Sequence, residues 1–188
     1  MRYAQIPNLG PVPYTVQPAS PDTDTSTGQT VALMNEYIQA GQFHPLVVRV
    51  TREALAAVPM DAPAWRRAMA VWDWMHRRVR FVADEEQLAS YYGLPESMEL
   101  LQRPELLAVH RRGDCDDFTM LACAMLQCAG VPYRIVTIAA DQNEPDRFSH
   151  VYAVAILESG QAVPMDTSHG RYFGWEAPRA FRRVEWPS

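Results

Sequence analysis

The chain has 188 residues and a mass of 21.3 kDa, with 48% hydrophobic and 21% charged residues. That balance excludes a wholly disordered protein and fits one domain able to bury a substantial core. The formal net charge of -5 excludes a domain-wide basic field for nucleic acid, and all 17 basic residues are Arg, with no Lys. Cys115, Cys123 and Cys128 are an odd count without a C-x-x-C pair. They exclude a closed disulfide framework and a four-cysteine zinc site, and reduced thiols in a bacterial cytoplasm are expected. No apolar run reaches the length of a secretory signal or a membrane helix, and no internal repeat is visible.

Residues 1–28 stand apart in composition. Five prolines and the polar run PDTDTSTG predict an extended arm or tail, since proline fixes φ and removes a donor. As an arm, it would pack through Ile6, Leu9, Val12 and Tyr14. Residues 29–188 then form the main domain. TVALMNEYIQAG predicts a helix over about 29–40, closed by Gly41. Leu46, Val47, Val50, Ala54, Leu55 and Val58 carry a helical stripe that Pro59 ends. Trp65, Met69, Trp72, Met75 and Val79 recur at steps of three and four, predicting a buried stripe on a helix of about 63–78. RVRFVAD reads as its exit into a short extended piece. Residues 84–112 read as loops with a short helix near 104–110.

The second half changes character. CDDFTMLACAMLQCAG predicts a helix with Phe118, Leu121, Ala122, Met125 and Ala129 on one side, ended by Gly130 and Pro132. Cys123 and Cys128 fall inside it as small buried residues. Strands follow over about 133–140, 149–157 and 161–167, separated by the turns DQNEPD and ESG. The fold class is therefore α+β: a helical N-terminal half, then a helix packed on an antiparallel sheet.

Chemistry concentrates in RRGDCDDFTM. Asp114 can cap the helix and Asp117 can reach back in a capping-box manner, which sets Cys115 at the first helical position. There the free backbone N–H groups and the helix dipole favour a thiolate and can bind an oxyanion. Asp114, Asp116 and Asp117 oppose that effect, and a nearby imidazolium would restore it. His150 opens the second strand and Asp166 closes the third, so a hairpin through ESG brings them to one end of the sheet as near cross-strand partners. A thiol, an imidazole and an orienting acid result. Three other uses of these residues stay open: Asp114, Asp116 and Asp117 holding a hard cation with Asp166, His169 as rival base, and a structural His150. His44, His76 and His110 read as solvated or capping residues.

At these residues the sequence resembles the transglutaminase-like superfamily. The matching segments are Gly113-Asp114-Cys115, Ser149-His150-Val151-Tyr152 and Pro164-Met165-Asp166-Thr167, in the family's Cys, His, Asp order. AGVPYRIV and AVWDWMHRRVRFVAD resemble its flanking elements, while RGDCDDF and the tail SHGRYFGWEAPRAFRRVEW resemble its phage- and prophage-associated branch. The resemblance covers roughly residues 45–184. It implies a papain-like fold and acyl transfer through a thioester on Cys115, with His150 as base and acid, Asp166 as orienter, and no metal or cofactor. It further implies a protein or peptide substrate, with phage structural proteins among the partners and a virion-associated location beside the cytoplasmic one. A phage-derived assembly module without turnover is the competing expectation. A side-chain oxyanion donor is not assignable; Trp72, Trp74 and Tyr91 are the candidates. Oligomeric state, and water against amine as acceptor, stay open.

Overall fold

The proline-rich start of the chain is built into a sheet. In a computed structural model that describes residues 2–6, 10–18, 24–87 and 98–187, β1 (Arg2–Ile6) and β2 (Gly10–Pro18) form an antiparallel hairpin, and β2 also pairs with β4 (Met98–Gln102). The ladders divide β2: Gly10 to Tyr14 face β1, whereas Tyr14 to Pro18 face β4. Pro11 and Pro13 thus lie where β4 does not pair, a placement that suits residues without an N–H. Leu9 and Tyr91 lie outside the described residues.

Helix α1 (Asp24–Gly41) begins five residues before the expected start. The run DTSTG looks like a linker, but tertiary packing extends the helix through it: Val31, Met34 and Ile38 are buried in the core, and Trp186 approaches Gly28 closely. Helix α2 (Pro45–Ala54) is capped by His44, whose Nδ1 accepts the Leu46 N–H at 3.3 Å. Helix α3 (Ala64–Arg78) corrects the expected stripe. Trp72, Met75 and Val79 are buried, but Trp65 and Met69 are 44% and 41% exposed. Ala64, Ala68, Val71 and Trp74 take the buried positions instead, the small alanines permitting close helix approach.

The pair β3 (Arg80–Phe81) and β5 (Arg112–Gly113) is parallel and brings the chain to the start of α6 (Cys115–Cys128). Between them lie α4 (Asp84–Gln87), β4 and α5 (Pro104–His110). Helix α6 is the central core element, with Phe118 to Leu126 all buried. It ends in a Schellman arrangement: Gly130 adopts φ +69, and the Gly130 and Val131 N–H groups return to Gln127 and Leu126.

Helix α6 packs on a four-stranded antiparallel sheet, ordered β8 (Ala162–Met165), β7 (His150–Ile156), β6 (Tyr133–Ala139), β9 (Arg182–Trp186). Strand β9 adds a fourth member to the three strands that the sequence predicts. The architecture is α+β, helices first and then a helix on an antiparallel sheet. Among the described residues, no helix is long and apolar enough to cross a membrane.

Candidate active site

The site forms where α6 starts and the β7–β8 pairing ends. Asp114 caps α6 by accepting the Asp116 and Asp117 N–H groups at 3.2 and 3.4 Å. Asp117 is fully buried, and its carboxylate accepts the Asp114 N–H. It also accepts the Gln102 backbone N–H at 2.8 Å and the Gln102 side-chain amide at 2.7 Å. Burial, then the Asp114 charge, push its pKa above the usual carboxylate value. Gly113 makes room for this packing: a Cβ there would lie 2.5 Å from Asp117 Oδ2 and 2.9 Å from Leu107 Cδ1. The glycine two residues before the cysteine is therefore a steric requirement.

The first turn of α6 is stapled to β7 beyond the last β8 pair, Ala153 with Met165. There the Val151 N–H reaches the Cys115 sulfur, and the Val151 carbonyl accepts from Thr119 Oγ1 at 3.2 Å. Cys115 is thus in contact with the residue next to His150. Cys115 and His150 line one groove of about 510 Å³, together with Val31, Phe81 and Phe148.

His150 Nε2 and Asp166 Oδ2 are 2.8 Å apart, with the two side chains 12% and 1% exposed. The register differs slightly from direct opposition. Continued one step past Ala153–Met165, the β7–β8 register sets Asp166 against Tyr152, so His150 and Asp166 are diagonal neighbours at one sheet end. The other Asp166 oxygen accepts the Ser168 N–H and hydroxyl, both at 3.1 Å, and the His169 N–H at 2.8 Å. Burial alone would raise the Asp166 carboxyl. The His150 hydrogen bond and charge, with the His169 and Ser168 contacts, outweigh it and hold the pKa below the ordinary value.

Two further devices fix this acid. The Trp72 indole N–H donates to the Asp166 backbone carbonyl at 2.9 Å. A Cβ on Gly170 would fall on the same carbonyl oxygen, so the chain turns there only with glycine. The Tyr152 ring stacks on His150 with centroids 5.8 Å apart, its hydroxyl held by Glu176. His169 lies edge-on to His150 at 4.9 Å. The contacts of Trp72, Gly170, Tyr152 and Glu176 with the site have no local sequence signal.

Three expectations are corrected here. Burial pushes the Cys115 thiol pKa well up, and the Asp114 and Asp116 charges push it further, against the pull of the helix dipole. Trp72 is not an oxyanion donor, because its N–H is committed to Asp166; Trp74 lies under the Arg111 guanidinium and lines a different groove. Among the described residues, the acids that could share a cation are Asp84, Asp114 and Asp117, not a set with Asp166. His150, Asp166 and His169 also bring ligand atoms within 4.8 Å of one another, but His150 and Asp166 are engaged with each other.

Comparison with curated proteins finds no match. Among solved structures, a candidate cysteine protease from Cytophaga hutchinsonii superposes with a TM-score of 0.51 at 16% identity, over 91% of this chain and 54% of that one. A candidate protease from Parabacteroides distasonis gives a TM-score of 0.51 at 11% identity, over 74% of this chain and 26% of that one. The chain thus spans about half of the first and a quarter of the second, and the likeness is one of fold. A family model described as the transglutaminase-like superfamily matches residues 50–167, the segment holding Gly113, Cys115, His150 and Asp166; the chain belongs to the transglutaminase-like superfamily.

Proposed function

We propose that the protein is a cysteine-dependent acyl transferase or hydrolase acting on peptide or protein amides, with Cys115, His150 and Asp166 as its triad. The observation that carries this reading is the 2.8 Å bond from His150 Nε2 to a buried Asp166, made in the groove that Cys115 also lines. That bond commits Nε2 and leaves Nδ1 as the nitrogen for the thiol. With burial and the Asp114 and Asp116 charges disfavouring the thiolate, His150 acts as a general base during attack and not as half of a preformed ion pair.

The Cys115 sulfur bonds to the amide carbon while its proton passes to His150 Nδ1. The oxyanion is met by the Cys115 N–H, the Asp116 and Asp117 N–H groups being held by Asp114. Collapse breaks the C–N bond, and the amine leaves with the proton from His150. Water then adds to the thioester with His150 again as base, releasing the acid and the free thiol. Throughout, Asp166 holds the imidazole tautomer and stabilises the imidazolium.

Water is the default acceptor, since an amine acceptor needs a second binding site. The protein has no Lys, so it does not build lysine-linked multimers of itself. A phage-derived assembly module without turnover is the second reading, favoured by the β1–β2 hairpin, which lies outside the matched residues 50–167. The resemblance of RGDCDDF to the phage-associated branch supports phage structural proteins as substrates or partners under either reading. Incubation with a glutamine-containing protein and a labelled small amine, read by mass spectrometry for wild type and Cys115→Ala, separates them. Cleavage or deamidation that depends on Cys115 is expected. Amine incorporation that outcompetes water overturns the hydrolase, and no Cys115-dependent product favours the module.

A further inference from the structure

We propose that His169 governs the base as a positioning residue: it must be neutral for His150 to take up the thiol proton, and a proton on His169 switches the site off. The inference rests on the catalytic reading above and adds a second titrating residue to that site. His169 meets His150 edge-on, with ring centroids 4.9 Å apart and ring planes at 82°. A ring nitrogen of His169, one of His150 and an Asp166 carboxylate oxygen all lie within 4.8 Å of one another. His169 is exposed, so solvent protons reach it, whereas the His150 side chain is nearly buried.

The hydrogen bonds fix the tautomer of His169. The Ser168 hydroxyl has one proton, and it goes to Asp166 Oδ1 at 3.1 Å. Ser168 Oγ also meets His169 Nδ1 at 3.0 Å, so Nδ1 carries the hydrogen and donates it. Nε2 is left as the atom that takes up a proton. The charged ring then lies against the imidazole that the reaction itself must charge. Two imidazolium rings at this separation oppose each other, and Asp166 supplies one negative charge for the pair. At rest His169 is kept neutral: partial desolvation of its ring, then the His150 charge, lower its pKa, against the raising pull of Asp166. These two are the titratable groups that act on it among the described residues; Phe81 of β3, edge-on at 4.8 Å, and Ser168 bring no charge.

The test compares wild type with two variants. His169→Asn offers an amide N–H to Ser168 but takes no proton, and His169→Lys carries a fixed positive charge. Turnover of a p-nitrophenyl ester of a short peptide is followed by chromatography, with the Cys115→Ala rate subtracted. The wild-type rate divided by the His169→Asn rate, set to one at about pH 8, should fall about threefold or more by about pH 5. The division cancels the titration of His150 itself, and a merely structural role of His169 gives a flat ratio. At about pH 8, His169→Lys should be about tenfold or more slower than His169→Asn, and about 0.5 M salt should narrow that gap. A flat ratio, or equal rates for His169→Lys and His169→Asn, overturns the switch and leaves the triad standing. If wild type shows no Cys115-dependent turnover, the catalytic reading falls and the switch falls with it.

Discussion

His150 Nε2 meets Asp166 Oδ2 at 2.8 Å, and every other polar contact around Asp166 serves to keep it there. Ser168 and the His169 N–H hold its second oxygen, and Trp72 holds its carbonyl. Replacing the carboxylate by an amide should disturb the imidazole more than the fold. Asp166→Asn is expected to lower Cys115-dependent turnover by on the order of 10²- to 10⁴-fold, through the wrong tautomer. Unchanged turnover in this variant means that another group orients His150.

The same contacts set a pH dependence. The folded-state pKa of Asp166 is depressed, so its contribution to stability is fully present above the unfolded value of about 3.9 and is lost as pH falls through the folded value. Denaturation midpoints measured from about pH 5 down to about pH 2 should fall less steeply in Asp166→Asn than in wild type. Parallel acid limbs would count against a charged Asp166.

Cys115 carries the opposite sign. Its folded pKa is raised by burial and then by Asp114 and Asp116. The resting thiol should react with iodoacetamide at pH 7 more slowly than a free thiol of pKa about 8.5, with no plateau at low pH. Stability from this shift is complete below the unfolded pKa and is lost as pH rises through the folded one. A fast labelling phase persisting at pH 6 would reveal a preformed ion pair.

Gly113 offers a steric test. Gly113→Ala drives a methyl against the Asp117 carboxylate, with Cβ to Oδ2 at 2.5 Å, and should cost roughly 1–3 kcal/mol as an overpacked site. Urea unfolding gives the number. A loss below about 0.5 kcal/mol means that Asp117 shifts freely and does not pin the start of α6.

Much of this arrangement was legible because its signals are local. Asp114 before Cys115, and Gly130 with Pro132 after it, mark both ends of α6 from capping chemistry, and the β-branched run of β6 with its turn marks the hairpin to β7. What was not legible depends on distant partners. Strand β9 lies in the charged segment RRVEW and pairs with β6 over 40 residues earlier. Strand β4 takes its partner from the N-terminal arm. On α3, periodicity alone could not say that Ala64 and Ala68 turn inward while Trp65 and Met69 stay at the surface. The Cys115 pKa is the net of a helix dipole against burial and two carboxylates, and the sequence shows the members of that contest without their distances.

The central claim is that Cys115 carries an acyl group on which His150 and Asp166 act. It is met most directly by trapping that group: the protein is mixed with a p-nitrophenyl ester of a short peptide, quenched in acid and analysed by intact and peptide mass spectrometry. The expected result is a single acyl adduct on Cys115 that disappears on return to neutral pH, is absent in Cys115→Ala, and forms and decays far more slowly in Asp166→Asn. No adduct on Cys115, or one that forms and decays equally fast without the Asp166 carboxylate, would contradict the account.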